Sequence, residues 1–205
     1  MTTAPLMPSY GTSLTGADAI KGDTRSYTSP WDMIFKAGDN AGYNSELLSN
    51  LVEANEGGKF NKPILLQAAS LIEVAAIQIF YRAQNYNLEG VPNVSEADRQ
   101  EIEDKQIDKF AVVIDNLRKY HILDGMGADI YDELHKLRKY RNKIHIQSNV
   151  NIPNVHRDED RVFTDAKTRW AVDLNWRVLS YLAEHYSRPV HIQGFVQPLR
   201  LPKLA

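Results

Sequence analysis

The sequence of 205 residues contains no cysteine, and this absence removes several kinds of chemistry at once. Disulfide bonds, zinc sites built on thiolates and cysteine nucleophiles are all excluded. The six histidines have neither the His-Glu-x-x-His nor the Glu-x-x-His spacing that binds zinc or di-iron in helical proteins. Five of them, His135 included, are interpreted as surface or helix-end residues. We therefore expect no metal, no cofactor and a reducing, cytoplasmic location.

The chain also has no strong excess of charge and no long uninterrupted apolar run. Its 24 Lys and Arg against 26 Asp and Glu give a net charge of −2, whereas proteins that coat nucleic acid are normally strongly basic. The longest apolar stretch, residues 64 to 80, is interrupted by four polar side chains. We consider it too short and too polar to span a membrane. The first residues lack the basic and apolar regions of a secretory signal.

Apolar residues make up 43% of the chain and recur with the period of an α-helix over most of its length. Residues 63 to 86 are apolar on nearly every face, which is typical of the central helix of a bundle. The other predicted helices cover residues 31 to 36, 45 to 54, 128 to 147 and 165 to 186, with one more that is capped by Ser95 and continues past Leu117. The pattern predicts an all-α protein, an antiparallel bundle of four to five helices with extended N- and C-terminal arms.

The ends of the chain differ in composition from the predicted bundle. Residues 1 to 29 are rich in Thr, Ser, Gly and Pro and are expected to form a flexible or irregular arm. Residues 30 to 188 form the helical domain, with a polar loop at residues 149 to 163. Residues 189 to 205 contain prolines that stop a helix, so we predict an extended tail able to embrace a neighbouring copy.

Residues 134 to 145 place charged side chains where a helix should be apolar. On a helical projection, Arg138, Arg141 and His145 fall within about 60° of one another on the apolar stripe of the segment. We call these three residues the basic stripe. An unpaired charge that is buried costs several kcal/mol, so an anion is expected beside them.

One candidate for that anion is Glu73, which shares a helical face with apolar residues of the central helix. Its carboxylate needs a partner, and an arginine of the basic stripe is the obvious one. Glu73 is therefore expected to be structural or to organise the site. In the structural interpretation, Arg138 or Arg141 pairs with a buried acid and His145 is a helix-end residue.

The other candidate is a phosphate group of RNA. Guanidinium groups bind phosphate oxygens in pairs, and a histidine exchanges protons near neutral pH. Cleavage of RNA by its own 2′-hydroxyl needs proton transfer and positive charge at the phosphate, and it does not need a metal. His145 would transfer the proton and Arg141 would supply the charge, while Asn142 would orient the substrate or hold His145.

The string from Arg141 through Asn142 to His145 resembles the signature of the HEPN superfamily (higher eukaryotes and prokaryotes nucleotide-binding domain). These small all-α domains carry an Arg, then a polar residue that is usually Asn, and a His farther on. Family members separate the Arg and the His by four to six residues. Three residues separate Arg141 from His145 and six separate Arg138 from His145, so which arginine serves the motif stays open.

This resemblance implies an RNA-binding protein, with metal-independent endoribonuclease activity of a toxin or phage-defence type. It implies RNA or a nucleotide as ligand, a homodimer whose motif helices meet at a two-fold axis, and an antitoxin or other protein partner. The expected catalytic residues are Arg141, His145 and Asn142, and the expected substrate-binding residues are Arg138, Lys139 and Tyr140. The alternative is a catalytically inactive interaction or scaffold protein whose Arg and His are structural.

Overall fold

The computed structural model describes residues 27–28, 35–85, 94–143, 153–154, 156–189 and 199–202. Helices hold 74% of these residues, which confirms the all-α class. The α-helices are α1 (Phe35–Glu53), α2 (Asn61–Asn85), α3 (Glu96–Glu103), α4 (Phe110–Lys119), α5 (Ile130–Asn142), α6 (Glu159–Val162) and α7 (Asp165–His185). Five of them have ten residues or more, as expected for a bundle of four to five helices.

Helix α2 is the centre of the bundle, as its apolar sequence predicts. It packs against α1, α3, α4, α5 and α7. Most of its residues are buried, and the amide of Asn175 on α7 donates a hydrogen bond to the carbonyl of Ala68 at 2.9 Å. Small alanines along α2 let these neighbours approach closely. Every other long helix is therefore positioned by its contact with α2.

The length and composition of α2 would also suit a membrane span, which corrects our interpretation of this segment as too short and too polar. A window of 18 residues within it is sufficiently apolar, yet 61% of that window is buried inside the bundle. The core helix of a soluble protein has the same properties. The neighbours of α2 therefore account for its apolar surface.

Helix α1 joins the described parts of the two short helices predicted near the N-terminus, while residues 31 to 34 lie outside the described residues. It runs without a break through residues 37 to 44, which include two glycines and an Asp-Asn pair that disfavour a helix. Ala41, Leu48 and Val52 are buried along its length. Packing against α2 therefore outweighs the weak local preference.

The helix predicted after Ser95 is two helices, α3 and α4, with a break between them. The cap itself is confirmed, because the Ser95 hydroxyl accepts a hydrogen bond from the Asp98 amide at 3.1 Å. At the break, the side-chain amide of Gln84 on α2 donates to the carbonyls of Ile102 and Lys105 at 2.9 and 2.7 Å. These bonds satisfy carbonyl groups at the end of α3 and make the break stable.

Helix α5 is shorter than the predicted residues 128 to 147. It ends at Asn142, and Lys143 has left helical geometry with its amide bonded to the carbonyls of Tyr140 and Arg141. Residues 144 to 152 lie outside the described residues, and His145 is among them. The predicted polar loop at 149 to 163 contains the short helix α6, whose Val162 is buried in the core.

The two arms of the chain meet in a short antiparallel pair between β1 (Tyr27–Thr28) and β2 (Arg200–Leu201). Residues 199 to 202 pack on α1 of the same chain, where Leu199 and Leu201 are buried. The Arg200 amide donates to the Ser45 hydroxyl at 3.1 Å. This part of the tail is extended, as predicted, but it covers its own chain. The remaining residues of the predicted arms lie outside the described residues.

Candidate functional site

Helix α5 carries the described part of the predicted site. Ile130, Leu134 and Leu137 are buried on its inner face, against α2 and α4. Its first turn is acidic and its last turn is basic, an order that the helix dipole favours. The cationic side chains are therefore concentrated in the C-terminal half of the helix, beside the apolar stripe.

Glu73 pairs with Arg141, as the sequence predicts for an arginine of the basic stripe. The Arg141 Nη2 to Glu73 Oε2 distance is 2.7 Å, and the two side chains are 37% and 14% exposed. Burial raises the pKa of the Glu73 carboxyl, and Arg141 lowers it by a smaller amount. Because burial outweighs the attraction, the pair positions Arg141 more than it stabilises the fold.

Arg138 lies one turn before Arg141 and has no comparable partner. Its Nε atom is buried and makes no hydrogen bond, and no carboxylate of the described residues lies within ion-pair distance of its guanidinium. A buried donor without an acceptor costs about 1–3 kcal/mol. Arg138 thus retains hydrogen-bonding capacity beside an arginine that is already held in place.

His135, one turn before Arg138 on α5, is a further residue of the candidate site that the sequence analysis did not identify. Its Nε2 lies 3.3 Å from Asp115 Oδ1 on α4, and its side chain is 22% exposed. Burial lowers the pKa of His135, Arg138 and Arg118 lower it further, and Asp115 opposes them. The signal in the sequence is the spacing of His135, Arg138 and Asn142, which places all three on one side of α5.

The remaining predicted site residues have different environments. Tyr140 is 5% exposed and its ring packs edge-on against Trp170, with ring centroids 6.0 Å apart. Its ring is part of the core. Lys139 is half-buried, and Asn142 is exposed at the end of α5. Arg138, Arg141 and Asn142 thus lie within about one turn of each other on α5, whereas the placement of His145 lies outside the described residues.

A third contact fixes α5 on the side facing α7. The Glu133 carboxylate accepts a hydrogen bond from the Trp170 indole at 2.9 Å and pairs with Arg177 at 3.0 Å. Arg141 contacts Glu73 on α2, and His135 contacts Asp115 on α4. With the contact to α7, these pairs hold α5 on three sides. The orientation of the basic side chains is therefore set by the bundle as a whole.

Comparison of this chain with known proteins finds no relative. No family model, no curated protein and no solved structure matches it. Within the described ranges, no group of three or more His, Asp or Glu residues is arranged to hold a metal ion. A cleft of about 360 Å³ between α1 and α2 is lined by uncharged residues of those two helices only. The chemistry of α5 and its neighbours therefore carries the functional proposal.

Proposed function

We propose that this chain is a HEPN-like RNA-binding protein that takes a phosphate group of RNA on the C-terminal half of α5. The observation that carries the proposal is the guanidinium of Arg138, which has no carboxylate partner and whose Nε has no acceptor among the described residues, while Arg141 lies one turn away. Two guanidinium groups at this spacing suit the oxygens of one phosphate or of two adjacent ones. The formal net charge of −2 favours one local site over a surface that coats nucleic acid.

The contact between Glu73 and Arg141 supports this function because it prepares one arginine for binding. An arginine side chain that is already ordered loses less conformational freedom when it meets a ligand. The Arg141 side chain is 37% exposed, so part of it stays open to solvent while Glu73 pairs with its Nη2. Arg141 therefore fits the role of an anchored phosphate contact.

The second step of the proposal is that the protein cleaves RNA without a metal. The 2′-oxygen would bond to phosphorus as its proton leaves, the phosphorus–O5′ bond would break, and the departing 5′-oxygen would gain a proton. His145 would carry out proton transfer, Arg141 would stabilise the charge of the pentavalent phosphate, and Asn142 would orient the substrate. Lys139 would add a further phosphate contact. A toxin or phage-defence endoribonuclease that acts in the cytoplasm is the corresponding biological class.

The proposed assembly is a homodimer in which the α5 helices of two copies approach a two-fold axis. The polar edge of α5, with Arg141 and Asn142, would then line a groove shared by the two copies. An antitoxin or another protein would be a further partner. Light scattering at micromolar concentration tests the assembly, and a monomer would exclude the shared groove.

The rival function is an interaction or scaffold protein, and the Glu73 to Arg141 ion pair is the observation that favours it. In that case the arginine only satisfies the acid. Binding of RNA distinguishes the two functions, because the scaffold needs no affinity for phosphate.

The binding test uses a fluorescein-labelled single-stranded RNA of mixed sequence and measures anisotropy. We expect Arg138→Gln to weaken binding by about tenfold or more, the loss of one charged hydrogen bond. Arg169→Gln changes an exposed arginine on α7 and is the matched control. Equal affinity of wild type and Arg138→Gln would overturn the proposed site. If the wild type does not bind RNA, the interaction or scaffold function is the one supported.

The cleavage test follows the same RNA in the presence of EDTA. We expect products with 2′,3′-cyclic phosphate ends and no cleavage of DNA, which lacks the 2′-hydroxyl. His145→Ala and Arg141→Ala should each lower the rate by orders of magnitude in a protein that still folds. If the wild type binds RNA and cleaves no more than His145→Ala, the enzyme step is wrong and the binding function remains.

A further inference from the structure

His135 on α5 faces α4, next to Arg138, which has no ion-pair partner among the described residues. One turn of α5 separates it from Arg138, and Asp115 approaches it from α4. The side chain is 22% exposed, so part of the ring faces solvent. A partly exposed titratable ring therefore lies one helical turn from Arg138.

The contact with Asp115 determines which nitrogen of His135 is available. Nε2 lies 3.3 Å from the carboxylate, and this contact favours the tautomer of the neutral ring that carries its proton on Nε2. Nδ1 then carries the lone pair. A proton added to His135 goes to Nδ1, and the new N–H group can donate a hydrogen bond to an anion.

The charges around His135 oppose that proton until an anion arrives. Among the described residues, Arg138 on α5 and Arg118 on α4 disfavour the charged ring, while Asp115 favours it. Arg118 has its own partners, because its Nη2 lies 2.5 Å from Asp132 Oδ1 and its guanidinium covers the ring of Tyr131. Arg138 therefore remains the cation near His135 that a bound phosphate would neutralise.

We infer that His135 and Arg138 bind one phosphate group together and that His135 takes up a proton when this phosphate binds. The inference rests on the proposed function, because the phosphate is taken to be that of RNA. It adds a pH-dependent contact on α5 that is separate from His145. Asp115 acts as a positioning residue that holds the ring against α4.

Linkage fixes the direction of the effect. A ligand that binds the protonated ring more tightly raises the pKa of His135, and by reciprocity a lower pH raises the affinity for the ligand. Uptake of one proton limits the gain to about tenfold per pH unit. The affinity of the wild type should therefore increase as pH falls from about 8 to about 6.

The choice of probe distinguishes binding of an internal phosphodiester of RNA from binding of a terminal phosphate. An RNA with hydroxyl groups at both ends has only phosphodiesters, which do not titrate in this range. A phosphomonoester gains a proton near pH 6 and would mimic the effect. The hydroxyl-ended RNA is therefore the main probe, and a nucleoside monophosphate is the comparison that reports binding of a terminal phosphate.

The experiment measures the anisotropy of this RNA from pH 8 to pH 6 with wild type, His135→Gln and His156→Gln. His156 is the matched control, since it also lies near a carboxylate, with 3.6 Å between its Nδ1 and Asp158 Oδ2. We expect the affinity of wild type and His156→Gln to rise as pH falls. We expect His135→Gln to lose most of this rise, so that its affinity changes little between pH 8 and pH 6.

A second measurement protects the test against a variant that folds poorly. In the wild type, NMR titration of the His135 ring should give a higher pKa with RNA bound than without it. An unchanged ring pKa, or a rise in affinity that survives His135→Gln, would overturn the inference. If Arg138→Gln still weakens RNA binding in that case, the proposed function stands, and if no RNA binds at any pH, both fail.

Discussion

Single residues of the site show how burial and charge oppose each other. Glu73 has a cationic partner at 2.7 Å, yet burial still raises the pKa of its carboxyl. An acid kept in such a place adds little to stability, and its value is the fixed position of Arg141. Arg138 differs from Glu73, since its buried Nε has no acceptor in the part of the chain that the structure describes.

The pH dependence of stability tests this view of Glu73. Its pKa is higher in the folded state than in the unfolded chain, so folding favours the protonated carboxyl. The free energy of unfolding should fall as pH rises from the unfolded pKa, near 4.3, through the raised folded pKa. Urea titrations should show this fall as the difference between the pH profiles of the wild type and Glu73→Gln.

The control for this prediction is Glu46→Gln, which changes an exposed glutamate of α1. It should keep the pH profile of the wild type. At neutral pH we expect Glu73→Gln to change stability by no more than about 1 kcal/mol, because Arg141 is partly exposed. A Glu73→Gln profile that follows the wild type would show that this carboxyl does not titrate abnormally.

Part of the site could be predicted from the sequence because it depends on helical periodicity alone. The face of Glu73 and the face of Arg141 both follow from spacing, and their contact follows from burial. The role of His135 could not be predicted in this way. It depends on Asp115, which reaches it from another helix, and a single sequence does not give the packing of α4 against α5.

At the level of elements, the break between α3 and α4 depends on a residue far away in the chain. Gln84 on α2 donates to two carbonyls at the break, that of Ile102 within α3 and that of Lys105 just after it. The apolar period of this segment continues through the break, so the pattern indicates one helix. The long helices α2 and α7 were predicted closely because their apolar period agrees with their packing.

Substitution of Gln84 tests the stability of this break. Gln84→Met keeps the volume of the side chain but removes both hydrogen bonds, which leaves the part-buried carbonyl of Lys105 without its side-chain donor, whereas the carbonyl of Ile102 keeps its backbone donors. We expect a loss of about 1–3 kcal/mol in a urea titration. Gln100→Met on the exposed side of α3 should change stability by less than about 0.5 kcal/mol. Equal effects of the two substitutions would contradict the role assigned to Gln84.

At the level of the whole molecule, the two arms close the bundle over α1. Strand β2 pairs with β1, and Leu199 and Leu201 enter the core. The Pro-rich composition indicates an extended tail but not the surface that it covers. Extended segments have no period that reports their partner, so this contact could not be predicted.

The tail contact predicts a loss of stability that is independent of protein concentration. Leu201→Ala removes a buried side chain and should cost about 2–4 kcal/mol, whereas Arg200→Ala at an exposed position should cost less than about 0.5 kcal/mol. Thermal unfolding at several concentrations measures both. A loss that grows on dilution would mean that the tail packs on a neighbouring copy.

The salt dependence of RNA affinity tests the phosphate site on α5 most directly. The slope of log affinity against log salt counts the phosphates that the protein neutralises, at about 0.7 for each contact on a single strand. The proposed site predicts that Arg138→Gln lowers this slope by about 0.7 to 1, whereas Arg169→Gln leaves it unchanged. The same slope and the same affinity in wild type and Arg138→Gln would contradict the site.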